Sequence, residues 1–255
     1  MLWYKAWLET RWRFLIGMAV LILSVAGTVF AYPRVERMLP LVPSIDTSSL
    51  VGQRIKAIAD LSRTYGGYIW AQWLRQNNVQ MLSLFAALLG TGGLLSQVTG
   101  GGGLFTLSLP VSRDRLFGVR AATGLAELAV LAFVPSLLLP LLSPAVGQTF
   151  GLGAALAYGA CAFIASAVLF SATCLLSTVF NDVWRPALIV CAVAAAIGIY
   201  EPFLGEISRY SLFGIMDGET YFRDGGLPWL GLLASMAVSA AMLVAASRNL
   251  ARQDF

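Results

Sequence analysis

The chain has no histidine, three cysteines and two lysines in 255 residues, and only 12% of it is charged. Without histidine there is no Ser–His hydrolysis, no His-ligated zinc and no His-ligated haem. Cys161, Cys174 and Cys191 sit inside long apolar runs. They read as small packing residues, with neither a disulfide framework nor a metal-ligand spacing. The net charge is only +4, carried by scattered arginines. That excludes the basic patch of a nucleic-acid-binding protein. A soluble domain carries about 25% charged residues. Here 58% of the residues are hydrophobic and mean hydropathy is +0.76. What remains is a polytopic membrane protein with a single membrane domain over 1–255.

A bilayer-crossing helix needs about 20 mostly apolar residues. Six windows qualify: 14–31, 79–98, 121–142, 152–180, 186–204 and 228–246. The expected fold is therefore all-α with six transmembrane helices. No charge occurs from Leu128 to Asn181, so that stretch must turn. Pro140, Ser143-Pro144 and Gly147 supply the break. The first window resembles a signal peptide, but its 18 apolar residues exceed the usual 7–15 or so.

Six spans place both ends on one side. Nine cations lie on the side of the termini and eight on the other. Most of the eight fall in one long loop, where charge counts less, while the short second–third loop carries Arg113, Arg115 and Arg120 together. The reading is a multi-pass membrane protein with both termini cytoplasmic.

Before the first span, Trp3, Trp7, Thr10 and Phe14 share one helical face, beside Arg11 and Trp12, while Lys5, Glu9 and Arg13 make an i, i+4 charge ladder on another. Tryptophan favours the headgroup level, so these residues predict an interfacial elbow helix. Pro33, Pro40 and Pro43 are expected to bar helix at the start of the following loop. Gly66-Gly67 is expected to end a short surface helix, and Tyr68, Trp70 and Trp73 to form an aromatic belt at the second span. The acidic segment from Glu201 to Leu227 reads as a solvated connector, with 210–216 able to dip inward as a half-helix.

Between the second and third spans stand Gly100 to Gly103, then Leu-Pro-Val-Ser-Arg-Asp-Arg-Leu at 109–116. The glycine run is not a phosphate loop, because no Gly-Lys-Ser/Thr follows. Pro110 and Ser112 can open a short helix at Arg113, with Asp114 in its first turn. The fourth span carries small residues at Gly151, Ala155, Gly159, Ala162 and Ser166, which let helices approach closely. Glu127 is an isolated carboxylate within a span. It reads either as a pathway position or as a carboxyl held by a Ser or Thr of a neighbouring helix.

These pieces resemble the permease subunit of type-2, exporter-type ATP-binding-cassette transporters. The resemblance rests on the Trp- and charge-rich elbow, the long outer loop, six spans, the 109–116 segment and the tail from Arg248 to Phe255. It departs at Gln97 and the glycine run, where that family carries acidic residues and Gly-Thr. The resemblance implies a separate ATPase subunit that holds ATP and Mg, with no cofactor or metal bound by this chain and no catalytic residue on it. A second permease copy or a paralogue would complete the pathway in the lipid bilayer. A cytoplasmic coupling helix, Pro110, Val111, Ser112, Arg113, Asp114, Arg115, Leu116 and Phe117, would dock on the ATPase. The elbow would be Trp3, Trp7, Arg11 and Trp12, with Glu127 a possible pathway residue. The alternatives are a non-transporting membrane scaffold or assembly factor and an intramembrane enzyme.

Overall fold

A computed structural model describes residues 2–38, 56, 59–91, 113–180, 182–201 and 211–252, and among them every regular element is helical. In chain order these are α1 (Leu2–Met38), α2 (65–90), α3 (Arg113–Leu142), α4 (Leu152–Leu176), α5 (Trp184–Tyr200), α6 (Leu212–Met216), α7 (Glu219–Asp224) and α8 (Trp229–Ala251). Four of them, α1, α3, α4 and α8, are long and apolar enough to cross a membrane. The chain is thus an all-helical membrane protein. The apolar α5 is shorter, at 17 residues. α2 is one continuous run of three parts: α-helix Tyr65–Ile69, π-helix Trp70–Asn78 and α-helix Val79–Gly90.

α4 is the hub, packing on α2, α3, α5, α6 and α8. Its composition allows this. Ala155, Cys161, Ala162, Ala165 and Ser166 are buried, and they bring neighbouring backbones close. The expected small-residue face is therefore internal packing. Gly151 is not part of it; this residue is exposed and caps the start of α4. Several contacts pair a glycine with a phenylalanine ring. A Cβ on Gly124 would lie 2.6 Å from the Phe170 ring, one on Gly159 2.8 Å from Phe133, and one on Gly17 2.9 Å from Phe85. At Gly90 the approach is backbone to backbone, with the Phe170 carbonyl 2.7 Å from the same position.

Several expectations are corrected. α1 runs unbroken for 37 residues with Pro33 inside it, so the first twelve residues extend the first span and do not form a separate elbow. Proline removes one ladder donor, a loss that a long membrane helix tolerates. Likewise Pro135 and Pro140 lie within α3. The turn comes after them, in the 3-10 segment Ser143–Val146, closed by Gly147 at φ 71°. That φ suits glycine, because no Cβ opposes it.

Arg113 does begin a helix with Asp114 in its first turn. It is the start of α3 itself, and no separate coupling helix occurs among the described residues. Pro110, Val111 and Ser112 lie outside those residues, as do Pro40, Pro43 and the glycine run. The helix that contains the start of the 79–98 window begins earlier, at Tyr65, and stops at Gly90, where Thr91 turns extended. Polar Gln72, Arg75, Gln76 and Asn77 had masked its first half. Gly66-Gly67 sits inside the start of α2 and does not end a helix; a Cβ on Gly67 would collide with the Leu61 carbonyl.

The aromatic belt is core. Tyr68, Trp70 and Trp73 are all buried; Tyr68 packs on Tyr32 of α1, and α7 with the turn before it covers Trp70. Phe222 of α7 stacks on Trp70 with centroids 4.5 Å apart. The indole Nε1 donates to the Asp217 carbonyl at 3.2 Å. The segment from Phe213 to Glu219 is therefore buried rather than a solvated connector, in line with its half-helix alternative.

Gly124→Ala is expected to overpack the α3–α4 contact and to cost about 1–3 kcal/mol. Gly153→Ala has open space at its Cβ and should leave stability within about 0.5 kcal/mol. Thermal unfolding in detergent checks the pair; equal midpoints would refute the close-approach account.

Candidate functional sites at the two ends of the bundle

One end of the bundle gathers the start of α1, the end of α2, the start of α3 and the ends of α4 and α8. Leu2, Leu116, Phe117, Thr178 and Leu250 line a single cleft there. The chemistry at this end is set by the end of α2. The last carbonyls of a helix have no partner within it and need donors. Two arginines provide them. Arg13 of α1 donates to the Leu88 carbonyl at 2.9 Å and to Thr91 Oγ1. Arg120 of α3 donates to the Thr91 carbonyl at 2.7 Å and pairs with Glu9 of α1 at 3.3 Å. Positive charge at a helix C-terminus also complements its dipole. Three helices are thereby tied together by two side chains.

Seven residues after Arg120, Glu127 is buried at 5% exposure. Thr10 of α1 donates to its Oε1 at 2.7 Å. Thr10 is thus the hydroxyl of a neighbouring helix that holds this carboxyl. Its Oε2 has no partner among the described residues. Glu127 lines neither of the cavities described here.

Of the other residues singled out from sequence, Asp114 and Arg115 are exposed at this same end. Asp114 accepts from Ser247 of α8 at 3.2 Å. Leu116 and Phe117 are half-buried along the cleft. Trp3, Trp7 and Trp12 are exposed on α1, and the Arg11 guanidinium lies 5.5 Å above the Trp12 ring. The elbow residues are thus at the same end as the start of α3. Sequence reasoning placed Thr10 and Arg13 only on faces of the first helix and missed their partners, and it missed Thr91 altogether. Nothing in the local pattern links Thr10 to a carboxylate 117 residues away.

At the opposite end, a cavity of about 600 Å³ lies between α2 and α5, floored by α6. Its body is apolar, with Val79, Leu84, Ala194, Gly198 and Phe213 among its walls. Its polar groups are Arg75, Gln80, Ser83, Glu201 and Asp217. Arg75 is held 5.3 Å above the Trp70 ring, a cation–π arrangement. Glu201 accepts a short hydrogen bond from Ser211, which in turn caps α6 by accepting from Gly214 N at 2.9 Å. Asp217 is 4% exposed and its Oδ1 accepts from Glu219 N at 2.8 Å. Burial pushes the Asp217 carboxyl up to about 8, and neighbouring Glu219 and Glu201 push the same way against Arg75. Glu219 itself is paired with Arg223 at 2.6 Å.

No family model, curated protein or solved structure matches the chain.

Thr10→Val is expected to leave a buried carboxylate oxygen without its donor, costing about 1–3 kcal/mol. Replacing both partners, as Thr10→Val with Glu127→Leu, should recover most of that loss, since removing both polar groups is nearly neutral. A double-mutant cycle of unfolding midpoints reads the coupling; additive losses would refute the contact. For Asp217 the raised folded value means that the folded state holds the proton more tightly than the unfolded state. Stability should therefore fall as pH rises from about 4 to about 8, then level off. Asp217→Asn should flatten that slope in pH-dependent unfolding.

Proposed function

We propose that this chain is the membrane-spanning permease subunit of an ATP-binding-cassette exporter, working as a pair of permease copies or with a paralogue and driven by a separate ATPase. In this reading six helices, α1 to α5 and α8, cross a bacterial plasma membrane with both termini in the cytoplasm. The observation that carries it is the start of α3. Asp114 and Arg115 are exposed there, at the same end as Leu2 and Leu250. Two turns further along the same helix, Arg120 grips the end of α2 and the start of α1. A push on the exposed tip reaches three helices through one rigid element. Closure of the ATPase on ATP would shift the bundle only if ATP favours one of its two states.

The segment 110–117 is the proposed docking element. Leu116 and Phe117 add apolar contact, and Arg113, Asp114 and Arg115 set register by charge. Replacing Arg113 and Arg115 together by Glu is expected to lower ATPase co-purification at least about tenfold, or to leave ATP hydrolysis running without transport. The measurement is made on the correctly inserted fraction. That fraction is defined by labelling single cysteines at 226 and 118 from opposite faces of the membrane. Full association and full transport in the double variant would overturn the docking assignment.

A further inference from the structure

We propose that the cavity between α2 and α5 binds an amphiphile with a single ammonium head, its tail running along the apolar walls and its head held by Glu201 and Asp217. Its volume of about 600 Å³ lies within the roughly 300–1,000 Å³ of small-molecule sites. The charged groups are not scattered through it. Arg75 and Glu201 stand at the same end because α2 and α5 run in opposite directions, one starting and the other finishing there. Asp217 joins them from the turn after α6. Ser83, Leu84, Cys191 and Ala194 lie deeper along the two helices. The cavity is therefore charged at one end and, apart from Gln80 and Ser83, apolar along its length, the shape of an amphiphile.

The charges select the head. Around the polar end stand two carboxylates, Glu201 and Asp217, and one guanidinium, Arg75. The other charged group beside Asp217, Glu219, is already neutralised by Arg223. With both lining acids ionised, one negative charge is in excess, and a monocation restores balance. Arg75, over the Trp70 face, carries one positive charge and can offset only one of the two acids. An anionic head would face that excess charge and is disfavoured.

The titratable groups facing Asp217 are Glu219, Arg75 and Glu201, with Tyr158 and Cys161 of α4 on its other side. A bound cation favours the ionised carboxylate. Its affinity should therefore rise as pH increases through about 8, the point to which burial has moved Asp217.

The inference reaches beyond the transporter reading by naming a ligand class, and its test is binding alone, so it stands or falls apart from ATPase docking. The full chain is placed in phosphatidylglycerol nanodiscs, which contain no ammonium head, with empty nanodiscs as the partition blank. Dodecyltrimethylammonium and dodecyl sulfate are titrated at pH 9 and pH 6 by equilibrium dialysis. Saturable binding of the cation above the blank is expected, about tenfold weaker for the sulfate and about tenfold weaker at pH 6. Glu201→Gln and Asp217→Asn should each abolish the preference for the cation. Gly198→Trp fills the body of the cavity, and it should abolish cation binding altogether. Competition by added phosphatidylethanolamine would assign the site to a lipid headgroup; lack of competition would assign it to a free ammonium amphiphile. Binding no greater than to empty discs, equal affinity for the sulfate, or undiminished binding in folded Gly198→Trp would overturn the proposal.

Discussion

Lipid tails are as apolar as leucine, so burying leucine against leucine gives membrane helices no reason to associate. What holds them is close van der Waals approach and the few hydrogen bonds that cross between them. α4 answers the first need. Its small residues let five elements reach it, and phenylalanine rings seat over glycines at Gly124 and Gly159. At Gly90 the approach is tight enough that a side chain would displace the Phe170 carbonyl. The other helices take their positions from these contacts.

The second need is met at the ends. A helix that stops inside a bundle leaves carbonyls without donors. Arg13 and Arg120 satisfy those of α2, and their own charge is compensated by the dipole they cap and by Glu9. The opposite end uses hydroxyl and indole donors instead. Tyr65 and Ser143 share a hydrogen bond at 2.7 Å, and Tyr68 donates to the Thr28 carbonyl at 3.1 Å. One end is thus fixed by charge and the other by aromatic rings, and the cavity with its three ionisable groups lies beside the aromatic one.

Hydropathy located α4, α5 and α8 to within a few residues, and α3 at its Leu142 end, because uninterrupted apolar runs of that length have one stable use in a chain this poor in charge. The Arg113 start and the Gly147 turn were legible from local chemistry. Other features were not. Trp70 and Trp73 were read as interface anchors, since tryptophan frequency alone does not distinguish a headgroup boundary from a core covered by another segment. Pro33 did not end α1, because one missing donor is a small loss in a helix of that length. The tie from Thr10 to Glu127 and the meeting of Arg75 with Asp217 join residues far apart in sequence, and no periodicity encodes such pairs.

The nine-residue π segment of α2 is far longer than the single-turn bulge that proteins usually permit. It lies between two stretches of ordinary helix, with the cavity's Arg75 inside it and Gly90 twelve residues beyond its end. A wide helix and a normal helix advance by different angles per residue, so the segment acts as a stretch of mismatched screw thread. If it tightened to the normal pitch, everything after Asn78 would rotate about the helix axis. The glycine facing Phe170 and the carbonyls held by the two arginines would turn with it. A local rewinding at the cavity is thereby geared to the opposite end of the same helix, with no hinge or loop between them.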